Sequence, residues 1–294
     1  MMDFRIDTFL VACRCLNFTK AAKQLNITQP AVTQHIHYIE AFYGVKLFQF
    51  EGKKMNLTNS GETLYQAAIT MKHDEVYLKE SISDINKRKK RLIFGTTLTI
   101  GEFVIAEHLK EYFKLYPDTE VRMILGNTSD LLRRIRLGEI DFALVEGNFN
   151  KQEYDYLSYS QERYIAVCGG EYVFDKQPEY LKDLLSTRLI VREQGSGTRQ
   201  ILEKNLETRN LGVKDFKHTA EIGGMNAIKS LVEFGCGITF LYEAAVKKEL
   251  ETRTLREIPL KDFQVLHDFA FIWNKGSIFS ESYHEICNIL KTKQ

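Results

Sequence analysis

The sequence predicts an α/β protein in three parts: a small helical head, one long helix, and a larger domain of two α/β lobes. Two short helical segments joined by a turn occupy residues 18–43, and an apolar repeat of three and four residues runs from Leu64 to Ile85. From Arg91 onward, short apolar runs alternate with helical patterns, which favours mostly parallel sheets. The predicted boundaries are 1–60 for the head, 61–89 for the linking helix and 90–294 for the two lobes, a division for which 294 residues leave room.

The head begins with two helices and a tight turn. Thr19 is the predicted N-cap of the first helix, which Asn26-Ile27 ends. Thr28 caps the second helix, and Pro30 lies in its first turn, where the missing N–H costs little. Apolar residues of the second helix recur at helical spacing, and the opposite face is polar, formed by Gln29, Thr33, Gln34 and His37. Two helices in this arrangement form a helix-turn-helix, a unit that reads DNA.

The chemistry of the polar face suits base recognition, because glutamine can pair with adenine and threonine offers a donor, an acceptor and a methyl group. Gly52 separates two short apolar runs about one strand later, which predicts a β-hairpin wing with lysines at its tip for phosphate contacts. The alternative is a small helical domain with a polar surface, since such caps are common. The predicted contacts to double-stranded DNA are Thr28, Gln29, Pro30, Thr33, Gln34, His37, Lys53 and Lys54.

Charge confines nucleic-acid binding to the head. Residues 1–61 contain seven Lys or Arg against four Asp or Glu, whereas the whole chain has a formal net charge of +1. The remainder is therefore mildly acidic. No apolar run approaches the roughly 18 residues of a membrane helix, and the N-terminus lacks the pattern of a secretory signal. We therefore expect a cytoplasmic protein that does not associate with membranes.

Catalytic, metal and redox chemistry are the competing classes. Glu146, His108 and Cys168 are conceivable active groups, but the seven histidines show no metal spacing, and neither a Gly-x-Ser-x-Gly elbow nor a Walker loop is present. The five cysteines have no two-residue spacer between any pair, so we expect no metal and no cofactor. Cys168 and Cys236 lie beside glycines and are the candidates for a redox role. The alternative is that all five cysteines are small core residues.

The linking helix carries a heptad pattern, which predicts a coiled-coil seam. A helix that lies on its own domain would show the same stripe, so both interpretations are open from the pattern alone. The seam positions are Leu64, Ala68, Met71, Glu75, Leu78, Ile82 and Ile85.

The two lobes are predicted from the alternation of elements. The strands are expected near 92–94, 121–125, 142–145, 164–168, 189–191, 217–221, 238–241 and 269–273, and the helices near 102–116, 131–137, after 197, after 226 and at 280–290. The chain therefore crosses to a second lobe and returns.

Five motifs in the first 61 residues resemble those of the LysR-type transcriptional regulators: Phe-Thr-x-Ala-Ala-x-x-Leu, Thr-Gln-Pro-Ala-Val-Thr, Ile-x-x-Ile-Glu, Gly-x-x-Leu-Phe and Leu-Thr-x-x-Gly. The resemblance implies that the linking helix dimerises and that the lobes adopt a type 2 periplasmic-binding-protein-like fold, with lobe I at about 90–162 and 267–294 and lobe II at about 163–266. Phe50 stands where that family usually has Arg, and His37 where Arg or Lys is frequent. We therefore expect modest non-specific DNA affinity with a shallow salt dependence.

Helix starts rich in Ser, Thr and Gly follow several of the predicted strands, so they converge on the cleft between the lobes. Backbone N–H groups and helix dipoles there favour a small anion, and the two glycines around Ser196 permit close backbone approach. The alternative is that these residues are ordinary helix caps. The resemblance to the LysR-type regulators implies effector contacts at Thr97, Thr99, Thr128, Ser196 and Thr198, and the glycine-rich run adds Gly197.

Together these features predict a LysR-type DNA-binding regulator whose promoter binding responds to a small anionic metabolite. Its expected partners are promoter DNA, the effector and further copies of the chain, as a homodimer or homotetramer, and RNA polymerase is a further candidate. The alternatives are an enzyme and an architectural DNA-binding protein that ignores small molecules.

Overall fold

The head consists of three helices followed by a hairpin. In the computed structural model, which describes residues 3–52, 54–87, 91–146 and 149–291, the helices are α1 (Phe4–Cys15), α2 (Phe18–Leu25) and α3 (Gln29–Tyr43). Strands β1 (Phe48–Glu51) and β2 (Lys54–Leu57) pair antiparallel as the predicted wing. Val32, Ile36 and Ile39 on the apolar side of α3 are buried and close the core of the head.

The turn between α2 and α3 has local causes. Asn26 adopts a left-handed conformation with φ 55°, which ends α2. Thr28 caps α3, as predicted, by accepting from the amide three residues later at 3.3 Å. The predicted cap of α2 was wrong. Asn17 takes that role because its side chain reaches the Lys20 N–H at 2.9 Å, while Thr19 already lies inside the helix.

Helix α4 (Asn59–Lys87) is the long helix that the apolar repeat predicts. Ala68 is buried against α1, whereas the seam residues Met71, Leu78 and Ile82 are 57, 43 and 54 % exposed. The side chain of Ile85 and residues 88 and 89 of the predicted linker lie outside the described part of the chain. Neither this helix nor any other among the described residues is long and apolar enough to cross a membrane.

The lobes follow in the predicted order. Lobe I contains β3 (Arg91–Thr96), a π-helical turn (Ile100–Val104) that continues into α5 (Ile105–Leu115), β4 (Glu120–Leu125), α6 (Thr128–Arg136) and β5 (Phe142–Val145). Strand β6 (Tyr154–Gly169) leads into lobe II, which contains β7 (Arg188–Val191), α7 (Gly197–Glu207), β8 (His218–Glu221), α8 (Met225–Glu233), β9 (Ile238–Tyr242), α9 (Glu243–Glu251) and β10 (Leu255–Glu257). Strand β11 (Val265–Asn274) returns to lobe I, where α10 is Ser280–Leu290. The prediction missed α9 and β10.

The strands form one hydrogen-bonded sheet in the order β4-β3-β5-β11-β6-β9-β7-β8, with β10 paired to β6. Within the lobes, β3 pairs parallel with β4 and β5, and β7 pairs parallel with β8 and β9. The crossing strands β6 and β11 are antiparallel to each other and to their other neighbours. The sheet is therefore mixed, and not mostly parallel as predicted, because the two crossovers lie side by side.

The side of α4 that does not carry the seam is fastened to lobe I through a buried polar network. The Nε2 atom of His73 lies 3.2 Å from the carbonyl oxygen of Ile140. Asp74 accepts from the Ser277 hydroxyl at 2.6 Å and from the Ile278 N–H at 2.9 Å. Burial opposes ionisation of Asp74, but the bonds from His73 and Ser277 lower its pKa below the ordinary value. The linking helix is thus anchored on lobe I by buried hydrogen bonds.

Candidate functional site

The exposed face of α3 carries the polar residues that sequence reasoning assigned to DNA. Gln29, Pro30, Gln34 and His37 are exposed, and Thr33 is half-buried. The Gln29 side chain donates to the Thr33 hydroxyl at 2.9 Å, so these two side chains are held together along the first turn of α3. Gln34 and His37 lie further along the same face. The side of α3 that faces away from the core of the head is thus an exposed polar surface.

The wing places charge and an aromatic ring beside α3. Gly52 has φ +62° at the tip, a conformation that favours glycine, and Glu51 pairs with Lys54 across the hairpin. Lys54 is exposed, and Lys53 lies outside the described residues. Phe50 is 63 % exposed, so the position where the resembling family usually has Arg does lie on the surface.

Glu40 of α3 fixes the start of the wing. Its carboxylate accepts from the Leu47 N–H at 2.9 Å and from the Lys46 ammonium at 2.7 Å. Burial opposes ionisation, but these two donors lower the pKa of Glu40 below its ordinary value. The hairpin is therefore held at a defined position relative to the exposed face of α3.

The residues that follow β3, β4, β5 and β7 line a cavity of about 290 Å³ between the lobes. Of the predicted effector contacts, Thr97, Ser196 and Gly197 lie in its wall. Thr128 lines a neighbouring cavity of about 480 Å³, and Asn127 borders both. The buried hydroxyls of Thr97 and Thr128 have no hydrogen-bond partner within the described chain.

The predicted contacts Thr99 and Thr198 lie beneath the cavity and do not line its wall. Both are fully buried, and their hydroxyl oxygens lie 3.4 Å apart, which joins lobe I to lobe II. The Thr198 hydroxyl also donates to Glu146 at 3.1 Å, and the Tyr164 hydroxyl donates to the Thr198 carbonyl at 2.9 Å. The hydroxyls of Thr99 and Thr198 therefore already have hydrogen-bond partners within the chain, beneath the cavity.

Glu146, directly after β5, was not among the predicted contacts. It is 2 % exposed, and its Oε2 atom is buried without a partner in the described part of the chain. Burial raises the pKa of Glu146 from 4.5 to about 7, against the opposing effect of hydrogen bonds from Thr99 and Thr198 and of the charge on Arg192. A Cβ at Gly197 would lie 2.8 Å from the Glu146 Cγ, so only glycine fits there.

Arg192, directly after β7, was also missed. It is 6 % exposed, and its Nε and Nη2 atoms bind the Glu193 carboxylate at 2.8 and 2.7 Å. Its Nη1 atom is buried with no partner among the described residues. Arg199, in the first turn of α7, is bound to Glu203 and Glu221. The signal that the sequence offered for Glu146 and Arg192 was a charged residue immediately after an apolar run, Phe142–Val145 in one case and residues 189–191 in the other.

The cysteines and metal-binding residue types show no assembled site. Cys168 is buried, and burial raises the pKa of its thiol to about 11. Cys236 is exposed. Within the described ranges, no group of three or more His, Cys, Asp or Glu is placed to hold a metal ion.

Two family models match the chain. The model described as "Bacterial regulatory helix-turn-helix protein, lysR family" matches residues 5–62, and "LysR substrate binding domain" matches residues 86–293. The HTH-type transcriptional regulator CysL of Bacillus subtilis (strain 168) is 28 % identical over 273 residues, covering 91 % of this chain and 89 % of CysL.

Solved structures share the fold. Full-length LysG from Corynebacterium glutamicum with bound effector Arg has a TM-score of 0.64 at 14 % identity, covering 99 % of this chain and 98 % of LysG. The Synechocystis PCC6803 CcmR regulatory domain in complex with 2-PG has a TM-score of 0.60 at 20 % identity, covering 69 % of this chain and 99 % of that domain. The sequence relatives are named as transcriptional regulators and not as enzymes. The chain thus belongs to the LysR family of bacterial regulatory helix-turn-helix proteins, with a DNA-binding head and a two-lobed substrate-binding domain.

Proposed function

We propose that this regulator binds promoter DNA through α3 and the wing, and that a small anionic metabolite in the cleft between the lobes modulates that binding. The observation that carries the proposal is the buried Arg192 in the wall of a cavity of about 290 Å³, because its Nη1 atom has no hydrogen-bond partner among the described residues. Thr97 belongs to the same wall, and its hydroxyl also has no partner in the described part of the chain. A buried cation with an unused donor favours an anionic acceptor.

On the DNA side, Gln34 and His37 are assigned to base edges, with Gln29 and Thr33 at the start of the same helix. Lys54, and Lys53 beside it in the sequence, are assigned to phosphates. Thr28 and Pro30 position the first turn of α3 at the groove.

Two copies of the chain would join through α4. Met71, Leu78 and Ile82 form an exposed apolar row on the side of the helix that does not contact lobe I. Burying such a row against a second copy removes apolar surface from water, which favours association. A homodimer then presents two heads to two half-sites, and two dimers can form a tetramer.

Effector control would run through the lobes and α4. A ligand in the cavity contacts residues from both lobes, so it favours one relative arrangement of them. The bonds of Asp74 transmit a change in lobe I to α4, and α4 holds the heads. The resulting change in head spacing would alter DNA bending and RNA polymerase recruitment in the cytoplasm. LysG with Arg and CcmR with 2-PG support small-molecule binding by this fold.

Thermal unfolding against a panel of anions tests the cleft assignment, since a ligand that binds only the folded state raises the melting temperature. The panel contains sulfate, sulfite, phosphate, dicarboxylates and aromatic acids. We expect Arg192→Gln and Thr97→Val to abolish the shift given by the best anion, and Thr252→Val, at an exposed threonine after α9, to retain it.

The double variant Thr97→Ala, Thr198→Ala should also abolish effector binding, although loss of the Thr198 hydroxyl removes an interlobe bond as well. A shift that persists in Arg192→Gln would refute the site. A protein that binds promoter DNA identically with and without every ligand would instead be architectural.

A further inference from the structure

The wall of the cavity between the lobes contains a buried carboxyl group and a buried guanidinium group, and each has one hydrogen-bonding atom with no partner among the described residues. On Glu146 that atom is Oε2, because Oε1 accepts from Thr198. On Arg192 it is Nη1, because Nε and Nη2 bind Glu193. A ligand that satisfies both atoms must present a donor to Glu146 and an acceptor to Arg192.

The start of α7 already has a carboxylate beside it. Gly197 lets the backbone approach Glu146 closely, and the Thr198 hydroxyl donates to the carboxylate. The Thr198 backbone amide also favours the charged form of this acid. The positive end of the helix dipole therefore already stabilises the Glu146 carboxylate. That carboxylate would repel a plain anion placed at the start of α7.

The net charge of the cavity wall also disfavours a plain anion. With its acids ionised, Arg192 contributes one positive charge, while Glu146 and Glu193 contribute two negative charges, so the three sum to −1. Tyr164 and Tyr242 face Glu146 from β6 and β9, and burial keeps both phenols neutral. A ligand with one positive and one negative group leaves this net charge unchanged, whereas a plain anion makes it more negative.

We propose that the effector is a small amphoteric metabolite, whose anionic group binds Arg192 and whose protonated amine binds Glu146. This inference rests on the proposed function and narrows its ligand class. A charge-assisted bond from an ammonium group suits a buried carboxylate oxygen that receives no hydrogen bond from the described residues. The cavity volume of about 290 Å³ accommodates a molecule of the size of an amino acid.

Titration calorimetry on the full chain at pH 8 tests the proposal. The probes are glycine, alanine, serine, β-alanine and taurine, each compared with an anion of similar size that lacks the amine, such as acetate, propionate, lactate or ethanesulfonate. We expect at least one amine-bearing probe to bind tenfold or more tightly than its counterpart. Glu146→Gln should weaken that probe at least tenfold and leave plain anions equal or stronger, whereas Glu179→Gln, on the exposed surface of lobe II, should change neither.

The wild-type comparison does not depend on the folding of any variant. Plain anions that bind as tightly as their amine-bearing counterparts, or an amine-bearing probe that binds Glu146→Gln unchanged, would overturn the amphoteric class but leave an anion site in the cleft. Failure of every amine-bearing probe would also overturn it. Probe binding that survives Arg192→Gln would additionally overturn the proposed anion site.

A pH series separates the two ligand classes. A plain anion should bind more tightly at pH 6 than at pH 8, because protonated Glu146 no longer repels it. An amphoteric ligand should bind at least as tightly at pH 8, where the carboxylate is ionised. Affinity for the amine-bearing probe that rises with acidification would contradict the proposed contact.

Discussion

Replacing Glu146 by glutamine should change how the stability of the two-lobed domain depends on pH. Burial raises the pKa of this carboxyl from its ordinary 4.5 to about 7 in the folded chain. Between these values the folded state holds a proton that the unfolded state has lost. The contribution of Glu146 to the free energy of unfolding therefore falls as pH rises from about 4.5 to about 7, and then remains lower.

The magnitude follows from the two pKa values. Their difference, 7 minus 4.5, is about 2.5, and at about 1.36 kcal/mol for each pKa unit the loss is about 3 kcal/mol. Glutamine keeps the shape of the side chain and an oxygen that can accept from Thr198, but it does not ionise. The free energy of unfolding of Glu146→Gln minus that of the wild type should therefore increase by about 3 kcal/mol from pH 4 to pH 8.

Urea unfolding at a series of pH values measures this difference, because titrations shared by both proteins cancel. The single tryptophan, Trp273, is buried on β11, so its fluorescence reports on the two-lobed domain. Glu171→Gln, at an exposed acid of lobe II, should show no comparable change with pH. A stability difference between Glu146→Gln and wild type that stays constant from pH 4 to pH 8 would refute the burial argument.

Three further outcomes test the rest of the molecule. Gln34→Ala should weaken binding to the target promoter by roughly tenfold and affect unrelated DNA less, whereas Lys54→Ala should weaken both and reduce the slope of affinity against salt by about 1. Fluorescence anisotropy across a salt series measures both, and a steep wild-type slope would contradict the modest affinity expected from Phe50 and His37. Leu78→Glu should shift the dimer towards monomer in sedimentation velocity, because it places charge in the exposed row of α4; an unchanged dimer would refute the seam. Iodoacetamide should label the exposed Cys236 but not the buried Cys168, with DNA binding and effector response unchanged, and loss of either function would indicate a thiol role.

The head was predictable because its determinants are local. The cap of α3 at Thr28, the break at Asn26 and the glycine at the tip of the wing each act within a few residues of the chain. The one misplaced cap, Thr19 for Asn17, arose because both residue types suit an N-cap and lie two positions apart. The spacing of apolar residues and the helix caps also predicted the order of strands and helices in the lobes. They did not give α9, which begins directly after β9 without a turn between them.

The polar centre of the cleft was less predictable because its contacts join distant parts of the chain. Thr99 and Thr198 are 99 positions apart, and Glu146 lies 52 positions from Thr198. From sequence, each threonine reads as the start of a helix, and nothing local shows that their hydroxyls meet beneath the cavity. Glu146 and Arg192 gain their chemical character only when burial removes them from water.

The anchor of α4 at Asp74 makes the long helix a lever. Fifteen residues separate Asp74 from the head end of the helix at Asn59, which is about 22 Å at the usual rise of about 1.5 Å per residue. A tilt of about 10° about the anchor would move the head by roughly 4 Å, close to the spacing of about 3.4 Å between successive base pairs. A rotation of lobe I that carried the anchor with it would therefore, under the proposed mechanism, shift the head by about one base-pair step.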